Sequence, residues 1–383
     1  MVGPIPGKRN AFCIIGLRAG LGEGGGHGWL LAQQIVHGEA QYDTWVIDPR
    51  RFTAHATVEL TALKAIEDYQ NEFRFHFPHE HRPAGRPMKS TPLTPILAAE
   101  GAAFGTVNGW ERVEYIKPTP EFKEDYGYHL NAVDDIVAAE VKNISTGVGL
   151  TEVSGFNRFE LTGKDVHSFL DRMICGTVTK RPARVGLGYL LTHHGMLKAE
   201  ATTAIIPASD RGPERVWYGS AAASEFHDMD WLLTHVTAEE DVSIRSLTNA
   251  QTILVLAGPK AREVLSAAAR GGWSATDFPW LSVRETQIGI APATVMGVSF
   301  SGELAYEIHI PNESLHAAYL ALRKAGEPHG LQLFGSRAVE SMRLEKGFLH
   351  WKADILTEFD PFETGLDRFV NLEKGDFVGK SAL

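Results

Sequence analysis

An α+β fold assembled from split βαβ modules is predicted, and three stretches predict it. Phe300-Ser301-Gly302-Glu303 reads as a tight turn, with Gly302 free to take a positive φ. Beyond it Leu304, Tyr306, Ile308 and Ile310 alternate with Glu303, Glu307 and His309, the period of a half-buried strand. Earlier, Phe159-Glu160-Leu161 is a strand, Thr162 and Gly163 a turn, and Lys164-Asp165 lead a helix with Val166, Phe169, Leu170 and Met173 on one face. Between these stretches Gly188–Leu191 and Leu197–Ile206 flank the turn His193-His194-Gly195 as a β-hairpin. Strands and helices grouped in this way suggest paired split βαβ units.

Length and composition bound the answer. At 383 residues the chain exceeds the usual limit of a single core, so two or three domains are expected. Hydrophobic content of 44% and charged content of 22% fit a soluble globular protein. A formal net charge of −10, with no Lys/Arg stripe, argues against a nucleic-acid partner. Two cysteines, Cys13 and Cys175, make neither a disulfide framework nor a zinc pattern and suggest a reducing compartment. No apolar run has the ~18 residues of a spanning helix and no signal peptide is seen, so no membrane partner is expected. The expected location is cytoplasmic, or the mitochondrial matrix in a eukaryote.

From the N-terminus, Ala11–Ile15 is a short strand that enters a glycine-rich turn, followed by a helix from about Gly28 to Val36. Gly20, Gly22 and Gly25 satisfy G-x-G-x-x-G formally, yet the dinucleotide fingerprint also needs a βαβ unit. The following QYDTWVIDPRRF does not supply its second parallel strand. A helix is expected from Ala54 to about Asn71. His76, His79 and His81 fall in a proline-rich run with no catalytic zinc spacing, so no metal site is expected. Pro78, Pro83, Pro87, Pro92 and Pro95 indicate an irregular, rigid connector. A polar stretch, Thr119–Asn131, marks a boundary.

Downstream, a strand in ERVWYGS, a helix from Ala222 to about Val236, and strands in VSIRSLT and QTILVLAGP follow. Gly258-Pro259 opens a helix over Lys260–Ala269, with the proline at its first position. On the strand after Gly302, a carboxylate flanked by Tyr306 and Ile308 must be hydrogen-bonded or face a cavity, which makes Glu307 a candidate anchor for the N–H groups of a bound ring. Arg337 and Arg343, on the helix beyond, are placed to hold acidic groups.

Several of these motifs are similar to those of the glycine-cleavage T-protein superfamily. The turn at Phe300 resembles its Y-T-G-E-x-x-x-E, GSRAVESMRLEKGF resembles its G-x-R-x-x-x-R-L-E, and Asp360–Leu366 resembles its T-P-x-E-x-G-L. Within that superfamily, residues 135–383 resemble the C-terminal half of dimethylglycine and sarcosine dehydrogenases, and residues 1 to about 118 resemble their middle. The resemblance implies three parts: 1–47, the tail of an FAD-dependent oxidoreductase domain; 48–118, a central linker domain; and 119–383, an aminomethyltransferase-like folate-binding domain. It also implies that the N-terminal FAD-binding part and the C-terminal β-barrel of those enzymes lie outside this chain.

The resemblance implies a folate site made of Phe300, Glu307 and Arg337, with Arg368 where the family has a stacking aromatic. Aligned through Gly195, the family's catalytic carboxylate falls on Glu200, placed to take the proton released as a folate nitrogen attacks an iminium carbon. Gly22, Gly24 and Gly25 would be the remnant of an FAD contact. The activity implied is capture of an iminium or formaldehyde equivalent by tetrahydrofolate as the 5,10-methylene form, within a dimethylglycine/sarcosine dehydrogenase-like oxidoreductase. The alternatives are a stand-alone folate-dependent demethylase, or a non-catalytic folate-binding subunit of a separate flavoprotein. The ligands implied are folate and a small methylated amine, with FAD supplied only by the N-terminal domain or by a flavoprotein partner.

Overall fold

The computed structural model describes residues 1–17, 20–52, 54–210, 212–222 and 224–383. In chain order it begins with a two-stranded antiparallel ribbon, β1 (Val2–Pro4) and β2 (Phe12–Ile14), then α1 (Leu21–His37) and α2 (Val58–Gln70). Next come α3 (Thr94–Ala99), the antiparallel pair β3 (Ala102–Val107) and β4 (Trp110–Ile116), and α4 (Ala132–Thr146). The larger part follows: β5 (Gly149–Val153), β6 (Phe156–Thr162), α5 (Val166–Met173), β7 (Val185–Leu191), β8 (Leu197–Ile206), β9 (Arg215–Ala222), α6 (Glu225–Thr234) and β10 (Ser243–Ser246). It ends with β11 (Gln251–Ala257), α7 (Ala261–Ala268), β12 (Val283–Ile288), β13 (Ala291–Met296), β14 (Ala305–Pro311), α8 (Leu315–Gly326), β15 (Gln332–Leu333) and α9 (Ser336–Glu345).

Two sheets organise these elements. One runs β10-β6-β9-β8-β7 and is antiparallel throughout; the other runs β12-β13-β14-β11-β5-β15, with only β15 parallel to its neighbour. Each is covered on one face by helices. Phe159, Leu161, Ala199, Ala201 and Tyr218 of the first sheet pack against Phe169 and Leu170 of α5 and Trp231 and Leu232 of α6. Leu254, Leu256, Tyr306, Ile308 and Ile310 of the second pack against α7 and α8, and Leu93, Leu97, Ala102 and Val113 belong to the same core. The uncovered faces meet each other, with Trp217, Ala204 and Val185 of the first sheet joining Val283 and Met296 of the second. Burying a large apolar side chain contributes about 1.5–3 kcal/mol, so this seam fixes how the sheets face.

Several elements begin or end where local chemistry, not periodicity, decides. Helix α1 starts at Leu21, ahead of the expected Gly28, and runs through Gly22, Gly24 and Gly25. Its register is set downstream, where Leu31 is buried, Gln33 accepts from Gln41 N at 2.8 Å and Gln34 donates to Thr44 at 2.5 Å. Once that end is fixed, each added turn avoids the nucleation cost, and the glycines are carried along. Helix α2 starts at Val58, not Ala54, because the Thr57 hydroxyl accepts from Leu60 N at 3.2 Å and caps it. At α7 the N-cap is Lys260, so Pro259 lies just outside the helix and not at its first position. Helix α6 likewise starts at Glu225, after Ser224, and not at Ala222.

Candidate functional site

Strand alternation turns two carboxylates toward the space between the sheets. On β14, Tyr306, Ile308 and Ile310 enter the helix-side core, so Glu307 and His309 emerge on the opposite face. The His309 ring meets Trp217 of β9 edge-on, with centroids 5.2 Å apart, which identifies that face as the one between the sheets. On β8, Ala199 and Ala201 belong to the core under α5 and α6, so Glu200 points the other way. Trp217 pairs with Ala204, which lies along the same strand face as Glu200. Glu200 and Glu307 therefore lie on the facing sides of the two sheets.

The space between the sheets turns polar where the apolar seam ends. Glu307 Oε2 lies 3.4 Å from His309 Nε2, and burial holds the imidazole below its ordinary range, so it is neutral. Arg158 of β6 is buried; its Nη2 donates to the carbonyls of Thr248 at 2.8 Å and Gln251 at 2.6 Å. Desolvation lowers this guanidinium to about 10, against the attraction of Glu307 and Glu152. Arg158 Nε and Nη1, His309 Nδ1 and Trp217 Nε1 are buried and have no hydrogen-bond partner among the described residues. Each such orphan costs about 1–3 kcal/mol unless something polar meets it.

Glu200 is partly buried, and among the described residues its side chain has one hydrogen-bond partner, the Tyr189 hydroxyl at 3.5 Å. Burial pushes its carboxyl up to about 7, opposed by that hydrogen bond. Tyr189 in turn packs edge-on against Phe369 at 5.2 Å, and the exposed Arg368 lays its guanidinium over the Phe369 ring at 4.9 Å. Glu200 and Arg368 are therefore brought to one neighbourhood through two aromatic rings.

Phe300 and Glu307 share one turn and strand. Gly302 takes φ 79°, as the turn requires, and its N–H donates to Ser299 Oγ at 3.0 Å. Phe300 is 40% exposed, with its ring 6.0 Å from His350. Arg337 stands apart from this group. Its Nε and Nη2 donate to Glu114 at 3.2 and 2.7 Å, its Nη1 and Nη2 to Glu124 at 2.6 and 3.0 Å, and it lies over Tyr115. The acidic groups that Arg337 holds are the chain's own, and they fasten α9 to β4. Arg343 is similarly held by Glu340 and Asp354.

Gly22, Gly24 and Gly25 lie in the first turns of α1 and not in the expected loop, and nothing among the described residues approaches within 4 Å of where their Cβ atoms would be. His81 Nε2 contacts Glu114 at 2.5 Å, and His76 contacts Arg82. Among the described residues no group of three or more His, Cys, Asp or Glu side chains is placed to hold a metal ion. Among the same residues no helix is long and apolar enough to cross a membrane. Residues that sequence reasoning passed over are Arg158, Tyr189, Trp217 and His309. The available signal was a cation inside the apolar strand FNRFEL.

The family profile of the GCVT N-terminal domain matches residues 93–374, and that of the FAD dependent oxidoreductase central domain matches residues 37–91. Mitochondrial dimethylglycine dehydrogenase of Rattus norvegicus is 32% identical over 387 residues, covering 100% of this chain and 44% of that protein. Mitochondrial sarcosine dehydrogenase of Homo sapiens is 27% identical over 421 residues, covering 100% of this chain and 46% of its own length. The chain thus spans under half the length of these relatives. The crystal structure of the glycine cleavage system aminomethyltransferase T from Bartonella henselae shares the fold with a TM-score of 0.63 at 21% identity, over 77% of this chain and 73% of that one.

Proposed function

Because the chain belongs to the GCVT N-terminal domain family and carries an FAD dependent oxidoreductase central domain ahead of it, we propose that it is the folate-dependent one-carbon transfer module of a dimethylglycine/sarcosine dehydrogenase-like oxidoreductase. The observation that supports the reading is the placement of Glu200 and Glu307 on the facing sides of the two sheets. Tetrahydrofolate, when bound, supplies the nitrogens that take up the one-carbon unit as the 5,10-methylene form. Glu307 anchors the N–H groups of its ring, and Phe300 stacks at the turn.

Glu200 takes the proton released when a ring nitrogen attacks the iminium or formaldehyde carbon. A carboxyl titrating at about 7 suits this task, since it is a stronger base than an ordinary carboxylate and still half ionised at neutral pH. Arg337 acts from behind by fastening α9 to β4, and the exposed Arg368 is available to an acidic tail. The amine is a small N-methylated amino acid, the kind named by the relatives. Its oxidation is carried out by FAD held in an FAD-binding domain or a separate flavoprotein.

The test is to supply tetrahydrofolate and a flavoprotein amine oxidase turning over dimethylglycine, and to follow 5,10-methylenetetrahydrofolate with and without this chain. Faster formation with the chain supports the reading; a rate equal to uncatalysed condensation overturns it.

A further inference from the structure

Hairpin β7–β8 is wrapped by the C-terminal segment, and the contacts concentrate on one side chain. Tyr189 is buried in one cluster with Cys175, Leu197, Trp351, Leu366 and Phe377. Its carbonyl accepts from Cys175 N, just after α5, at 2.9 Å, and Leu197 N donates to Phe359 O at 2.9 Å, which ties β8 to the segment. Phe369 packs edge-on against the Tyr189 ring at 5.2 Å, and the Phe369 carbonyl lies so close to Gly176 that a Cβ there would sit 2.4 Å from it. The tyrosine ring is thereby held between the hairpin and the segment, with its hydroxyl toward Glu200 Oε2 at 3.5 Å.

We propose that Tyr189 is a positioning residue for Glu200: its hydroxyl, aimed by the Phe369 contact, fixes the orientation of the carboxylate and sets its proton affinity. This deepens the one-carbon transfer reading above and rests on it for the role of Glu200. A phenol O–H donated to a carboxylate favours the ionised form, whereas burial favours the neutral one. No cation pairs with Glu200 among the described residues, so the tyrosine is the group that opposes burial. The segment around Phe369 thus acts on the carboxylate through the ring it aims.

The experiment is a titration of the full chain labelled with [δ-13C]glutamate, the Glu200 resonance being assigned by its loss in Glu200→Gln. In Tyr189→Phe, which keeps the ring and its packing, the Glu200 midpoint is expected to rise by about one pH unit. In Phe369→Ala the rise is expected to be smaller, because the hydroxyl is present but no longer aimed. In the transfer assay the pH profile of Tyr189→Phe should move to higher pH by the same amount, with its alkaline plateau retained. An unchanged midpoint in Tyr189→Phe overturns the proposal. The titration needs no folate, so a moved midpoint without transfer activity would count against the one-carbon reading and leave the Tyr189–Glu200 coupling standing.

Discussion

Trp217 and His309 meet edge to face across the two sheets, their ring centroids 5.2 Å apart. This contact ends the apolar seam where polar groups begin, because Glu307 lies on the same strand face as His309 and Arg158 shares the field of both. Trp217→Ala should cost about 3–5 kcal/mol, the range for removing a buried large aromatic. Urea unfolding monitored by circular dichroism checks this.

Glu307→Ala should weaken tetrahydrofolate binding with little loss of stability. The carboxylate side chain is 34% exposed and its near partner, His309, is neutral, so no buried ion pair is broken. A lost hydrogen bond to a charged group corresponds to about 1.5–3 kcal/mol, or roughly 10- to 150-fold in affinity. Calorimetry and a thermal melt on the same protein separate the two effects; an unfolded variant would make the carboxylate structural.

Glu200→Ala should leave folate binding in place and slow one-carbon transfer. In the unaltered chain, transfer should rise with pH through about 7, as the buried carboxyl becomes a base. Initial rates between pH ~5.5 and ~8.5 measure this, and a flat profile would remove Glu200 from the proton step.

Arg337→Ala should destabilise the fold by roughly 3–5 kcal/mol, since the largely buried Glu114 and Glu124 would be left without their cation. Chemical denaturation gives the loss, and folate affinity of the folded fraction should change little.

Glu152→Gln should stabilise the chain increasingly as pH rises. Burial pushes the Glu152 carboxyl up to about 8, and neither oxygen has a hydrogen-bond partner among the described residues. A raised native pKa means that the native state keeps a proton the unfolded chain has lost, so stability falls between the unfolded value of ~4.3 and about 8. The variant escapes that fall, and its advantage should grow by up to ~1.4 kcal/mol per pH unit across the window. Unfolding free energies at pH ~5 and ~8 test the sign.

The strands were legible because their alternation is local. Tyr306, Ile308 and Ile310 announced the buried face of β14, and with it the outward turn of Glu307, before any partner was known. The turn was legible for the same reason, since only glycine takes φ 79° there without strain. What meets across the sheets was not. Trp217 and His309 are neighbours only because β9 and β14 lie in facing layers, a relation that periodicity does not encode. Arg337 shows the same limit: Glu114 is 223 residues away in sequence, so a cation that reads as free for a ligand is spoken for by the fold. The glycines of α1 mislead in the other direction, because a helix fixed at Leu31 extends through residues that would not start one.

The central claim is a folate site between the two sheets. The most direct measurement is a calorimetric titration of the full chain with tetrahydrofolate, run beside Glu307→Gln. Saturable binding near one equivalent, weakened roughly tenfold or more in the variant, is the predicted result. No saturable heat in the unaltered chain, or equal affinity in the two proteins, would contradict the account.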